Sequence, residues 1–179
     1  MTLTFPSWWR GGRWDVERLV EDLFTFEENP AAQDLSGLIV WPMTTPLDPT
    51  EREAHLKAGN AYLFAHRRGG HVDKTRQPWT DKVIVDLAAL TRSRDISNDL
   101  MAYVTDVLAE FDDGGLVHRK NPHRSGVSAT FMTVPGEVVG PQLIPEQFRD
   151  DRLIPATWEL HIDRPQGLST YREALGLDW

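Results

Sequence analysis

The stretch Thr80–Phe111 reads TDKVIVDLAALTRSRDISNDLMAYVTDVLAEF, and its period changes part-way along. Up to Leu90 the residues alternate as on a pleated strand: Val83, Val85, Leu87 and Ala89 share one side, while Ile84, Asp86 and Ala88 share the other. From Ser93 the apolar positions become Ile96, Leu100, Tyr103, Val104, Val107, Leu108 and Phe111, the stripe of an amphipathic helix, with Gly114 and Gly115 beyond it as C-terminal caps. A strand with one fully apolar side, followed by one long amphipathic helix, predicts a helix lying across a sheet.

Upstream, Asp15 stands at an N-cap position before Val16, Leu19, Val20, Leu23 and Phe24, the spacing of a helix that ends before Asn29-Pro30. GLIVWPM (Gly37–Met43) is a short apolar run that predicts a buried, central strand stopped by Pro42. TTPLDPTEREAHLKAGN (Thr44–Asn60) reads as an excursion outside the core, with a short helix after Asp48-Pro49. AYLFAHRR (Ala61–Arg68) predicts a strand with Tyr62, Phe64 and His66 on one face. GGHVDKTRQPWT then reads as a long turn into Thr80, so the two strands form an antiparallel hairpin.

Downstream, GVSATFMTV (Gly126–Val134) and ATWELHID (Ala156–Asp163) are strand candidates joined by a Pro-rich segment. In the second, Trp158, Leu160 and Ile162 alternate with Thr157, Glu159 and His161. In LSTYREALGLDW (Leu168–Trp179), Thr170 and Glu173 have capping-box spacing, which predicts a short helix with Tyr171, Ala174 and Leu175 as its apolar contacts. The expected fold class is therefore α+β: a single, mostly antiparallel sheet with two main helices packed on one face, loop excursions and a short C-terminal helix. One domain spans 1–179, with a C-terminal extension at about 168–179.

Composition narrows the function. A chain of 179 residues can bury a proper core without staples. It contains no cysteine, which excludes disulfides, thiolate metal sites and a cysteine nucleophile. A formal net charge of -8 argues against electrostatic capture of nucleic acid or of an anionic membrane. The opening MTLTFPSWWRGGRWDVE has no charged start followed by an apolar run, and no long apolar stretch follows, so neither an export signal nor a membrane span is expected.

Candidate chemistry is sparse. His66 with His71, and His118 with His123, share an offset, but Gly69-Gly70 and Pro122 break any helix that would make them a metal pair; solvated loop histidines are the simpler reading. HRKNPHR (His118–Arg124) is the one basic cluster, with no aromatic for base stacking; a solvated loop or a protein contact fits it better than DNA. Asp151 and Glu159 suggest a metal-dependent nuclease, yet the position where a lysine would hold water or phosphate carries His161. Trp8, Trp9, Trp14 and Trp179 crowd the termini, where tryptophan serves as an interface anchor or folds back on its own domain.

Four phrases taken together, DVERLVEDLF, AYLFAHRRGGHVD, DKVIVDLAALTRSRDISNDLMAYVTDVL and ATWELHIDRP, resemble the tail terminator proteins of long-tailed bacteriophages over most of the chain. The resemblance implies a virion protein without catalytic, cofactor or metal residues. It implies a homohexameric ring, built in the host cytoplasm, that sits at the head-proximal end of the tail tube and ends tube growth. Its partners would be itself, the tail tube protein and a head-tail connector or head-closure protein, with viral DNA passing through the lumen unbound. The residues expected at subunit or partner contacts are Ile84, Asp86 and Ala88 on the strand Asp81–Leu90, Arg119, Lys120 and Arg124 in the basic loop, and Tyr171, Leu175 and Trp179 at the C-terminus. The alternatives are another head-tail neck adaptor and the small nuclease built on Asp151 and Glu159.

Overall fold

The computed structural model describes residues 15–33, 35–75, 79–120, 128–141 and 151–163. Helix α1 (Val16–Thr25) begins where Asp15 accepts from the backbone N–H of Arg18 at 3.2 Å. A 3-10 turn (Pro30–Ala32) leads to β1 (Leu38–Pro42). Helix α2 (Pro49–Lys57) starts with proline in its first turn, and Asp48 accepts from Thr50 N and Glu51 N at 2.7 and 3.1 Å. Strands β2 (Ala61–Asp73) and β3 (Thr80–Leu90), helix α3 (Arg94–Ala109), and strands β4 (Gly115–His118), β5 (Ala129–Val139) and β6 (Ile154–Asp163) complete the order.

The strands form one six-stranded sheet in the order β1-β2-β3-β6-β5-β4. β1 runs parallel to β2, reached by a crossover through α2, and the remaining neighbours pair antiparallel. The sheet is thus mixed, within an α+β fold. Its main core gathers Leu19, Leu23 and Phe24 of α1 and Met101, Val104 and Leu108 of α3 against Val83, Val85, Leu87 and Ala89 of β3 and Trp158, Leu160 and Ile162 of β6. Each large side chain so buried stabilises the fold by roughly 1.5–3 kcal/mol. The two helices also meet each other, Phe24 against Tyr103 edge to face at 6.4 Å.

A second, smaller core occupies the opposite side of the sheet, because Tyr62 and Leu90 alternate with Leu63 and Ala89. There Leu56 of α2 packs on Tyr62 and Leu90, flanked by Ile39, Trp41, Leu47, Phe64 and Leu153. The Thr44–Asn60 segment is therefore no excursion: it supplies the cover for this face at one end of the sheet.

Several expectations from the sequence change. β1 lies at the sheet edge, not its centre. Its apolar run reads like a central strand because both faces are covered, Leu38 and Val40 by the main core and Ile39 and Trp41 by the small one. β2 does not stop at Arg68 but runs through both glycines to Asp73, with a bulge between Arg67 and Gly69. At Gly70 (φ 131) an added Cβ would lie 2.2 Å from the carbonyl oxygen of Lys82, so only glycine lets the strands close there. β5 likewise continues past Val134 to Val139 by way of a bulge, where a Pro-rich link was expected.

In α3 the buried ridge is Ser97, Met101, Val104 and Leu108, whereas Ile96 is 37% exposed. The ridge begins on a polar residue because Ser97 Oγ accepts from Thr91 N at 2.9 Å and donates to Ser93 O at 3.1 Å. The helix ends at Ala109 with Glu110 as its C-cap, and Gly114 (φ 88) instead turns the chain into β4, a strand the sequence reading missed. The expected C-terminal helix lies outside the described residues.

Candidate functional site

The face of the sheet opposite α1 and α3 is covered only in part. α2 closes the end around Tyr62 and Leu90; among the described residues no helix lies over the rows farther along. The strand pairings define those rows across β2, β3, β6 and β5. His66, Asp86, Thr157 and Val139 form one, Gly69, Ile84, Glu159 and Gly136 the next, and His71, Lys82, His161 and Thr133 a third.

Polar side chains along these rows satisfy one another laterally. Thr157 Oγ1 donates to Asp86 Oδ1 at 2.7 Å, with Arg68 Nη1 at 3.8 Å from the same oxygen. Glu159 Oε1 meets His161 Nε2 at 2.7 Å, and Lys82 Nζ lies 3.0 Å from Asp73 Oδ2. Thr75 donates to Asp73 from its hydroxyl and its N–H; these bonds, with Lys82 beside them, hold the Asp73 carboxyl well below the usual carboxylate range. A ladder of this kind suits contact with water or another polar surface.

The sheet's outer edges are unequal. β1 pairs with β2 only over Ala61–Ala65, and β4 pairs with β5 only over Ala129–Met132. Leu116 of β4 and Phe131 of β5 are register partners, and they stand 59% and 40% exposed; Val138 farther along β5 is 50% exposed. Among the described residues these are the large apolar side chains left exposed toward this edge. A model of the family described as phage tail termination protein matches residues 12–169, a span that includes every strand and helix among the described residues.

The chain belongs to that phage tail termination family. Membership gives it a structural role associated with the phage tail. Among curated proteins, none matches the chain.

Within this family member the residues singled out from sequence fall in different settings. Ile84 and Asp86 lie half-buried on the open face. Ala88 is fully buried, with Phe64 and Pro155 as its register partners. β3 is paired on both sides, by β2 and β6, so it can offer a neighbour a face but not an edge.

The basic segment begins as part of the fold: Arg119 is buried with its Nε 2.5 Å from Asp22 Oδ2, so it is not surface. Lys120 is exposed. Arg124, Tyr171, Leu175 and Trp179, like Trp8, Trp9 and Trp14, lie outside the described residues. Asp151 and Glu159 are not brought together. Asp151 precedes β6, and roughly 16 Å of extended strand separates Ile154 from Glu159. No group of three or more His, Asp or Glu that could hold a metal ion occurs among the described residues.

Leu116, Phe131 and Val138 were missed by the sequence reading. Phe131 was legible, since it alternates with buried Thr130 and Met132; Leu116 needed β4, which is too short to show a period.

Proposed function

We propose that the chain is a non-catalytic ring subunit, homohexameric as the resemblance implies, at the head-proximal end of the tail tube. There it ends tube polymerisation and offers a docking surface to the head connector or head-closure protein, after assembly in the host cytoplasm. The observation that carries this reading is the family match across residues 12–169. The formal charge of -8 per chain supports it, since an acidic ring lets DNA pass without holding it.

The test is a phage lacking this gene, with and without the gene supplied in trans. Tails of uncontrolled length, unjoined to heads and corrected by complementation, are expected. Tails of normal length that merely lack heads would point to a neck adaptor, and normal phage would overturn the reading. Purified protein incubated with DNA and Mg2+ or Mn2+ should leave the DNA intact; cleavage abolished by Glu159→Ala would overturn the non-catalytic part.

A further inference from the structure

Among the described residues the sheet carries two half-edges with a strand neighbour on one side, and they match each other. Among the described residues, β2 beyond Ala65 has a strand partner only in β3, and β5 beyond Met132 only in β6. The rows place these halves at one height: Gly136 stands in the row of Gly69, Glu137 in that of Arg67, and Val139 in that of His66. From β2 through β3 and β6 to β5 every pairing is antiparallel, so β2 and β5 run in opposite directions. Two copies set side by side in the same orientation therefore present β5 of one to β2 of the next, antiparallel and level.

We propose that copies of this chain join edge to edge, with Gly136–Val139 of β5 in one copy pairing antiparallel to Arg67–His71 of β2 in the next, so that one sheet runs on through the ring. This rests on the ring reading above and names the surface that builds it. The contact is heterologous, using two different patches of one chain; repeated, such a contact closes a ring when the rotation per copy divides a full turn without rise, and otherwise runs on as a filament.

The side chains along the two edges are complementary. The β2 edge carries the exposed Arg68, 3.8 Å from Asp86 in its own copy, and the exposed His71, beside the half-buried Arg67; the β5 edge carries the exposed Glu137, which falls level with Arg67. Val138, 50% exposed, falls near the height of Met43, 39% exposed, whose N–H bonds to Ala65 O at 3.0 Å just beyond β1. Each edge thus offers an apolar side chain at a matching level, and Glu137 on one edge has an opposite charge, the exposed Arg68, on the other.

Some backbone groups along the same edges are already satisfied in a lone copy, one of them within the proposed segment, where pairing would replace the bond. Asn29 bonds both the N–H and the carbonyl of His118 in β4. Pro135, which has no N–H, sits within the β5 bulge just before Gly136. Glu17 Oε1 accepts from Arg67 N at 3.3 Å, which occupies one donor of the β2 edge in a lone copy.

The absence of cysteine makes the test clean. Glu137→Cys is combined in turn with Arg67→Cys, Arg68→Cys and His71→Cys, and mild oxidation is followed on a non-reducing gel. At least one pair should give a covalent ladder ending at ring size, while each single variant stays uncross-linked. Cross-linking by a single variant would mean like edges meet, and would overturn the proposal.

In wild-type protein, amide exchange at Arg67–His71 and Gly136–Val139 should slow at least tenfold on going from dilute monomer to assembly. Rings seen by light scattering without either signal would defeat edge pairing and leave the ring reading standing. Protein that stays monomeric at every concentration would defeat both.

Discussion

The side chain of Asn29 takes the place of a strand beside His118. Its Oδ1 accepts from His118 N at 2.8 Å and its Nδ2 donates to His118 O at 2.9 Å, so one carboxamide satisfies both backbone groups of His118. The same Nδ2 also donates to Asp22 O at 2.8 Å, which ties the short strand to α1. Asn29 is 1% exposed, and water cannot replace it. Asn29→Ala should cost about 1–3 kcal/mol through these orphaned groups. A melting temperature unchanged within a degree would show that the bridge is dispensable.

Asp22 and Arg119 form a buried ion pair on the same seam. Removing one member strands the other charge, so Arg119→Ala should destabilise by about 3–5 kcal/mol. The double change Asp22→Leu with Arg119→Met should recover most of that loss, as read from denaturant midpoints. A double variant no better than the single one would mean that packing around Arg119, and not the charge, holds the site.

The displaced ridge of α3 separates two apolar residues of the expected stripe. Leu108→Ala opens a cavity in the main core and should cost about 2–5 kcal/mol. Ile96→Ala, at a position 37% exposed and off the buried ridge, should cost well under about 1 kcal/mol. Equal losses for the two in thermal melts would contradict the ridge described above.

Asp73 gives the acid limb of stability a defined direction. Its carboxyl is held below its ordinary value of 3.8, mainly by the Thr75 hydroxyl and N–H and then by Lys82. The folded state therefore gains from its ionisation above that value and loses the gain as pH falls below it. Asp73→Asn should flatten the stability profile on the acid side of pH 4 while leaving its shape near neutrality unchanged. An identical acid limb in variant and wild type would refute the assignment.

Much of the fold was legible because local and tertiary demands agreed. Val83, Val85, Leu87 and Ala89 alternate cleanly since β3 is paired on both sides and its second face is covered only toward Ala88 and Leu90, and Asp15 and Ser93 cap helices where cap residues belong. Reading failed where tertiary cover overrode period. β1 looks central because the small core hides its second face, and β2 crosses two glycines because Gly70 must let the Lys82 backbone approach.

The same limit applies to the candidate surface. Arg119 looks like a solvated cation in sequence, and only its placement beside Asp22, on α1, makes it part of the fold. The half-edges of β2 and β5 follow from where β1 and β4 stop, and strand lengths of that kind leave no mark in composition.

The second core also divides the sheet mechanically. Where Leu56, Tyr62 and Leu90 pack, the protein is three layers thick, α2 over sheet over the paired helices; past Phe64 and Ala88 the described structure is two layers thick. Bending stiffness rises steeply with thickness, so the three-layer end behaves as a clamp and the thinner end as a leaf spring. A force applied to the open ends of β2 and β5 would be absorbed by twisting the thin rows, while the rows beneath α2 keep their register.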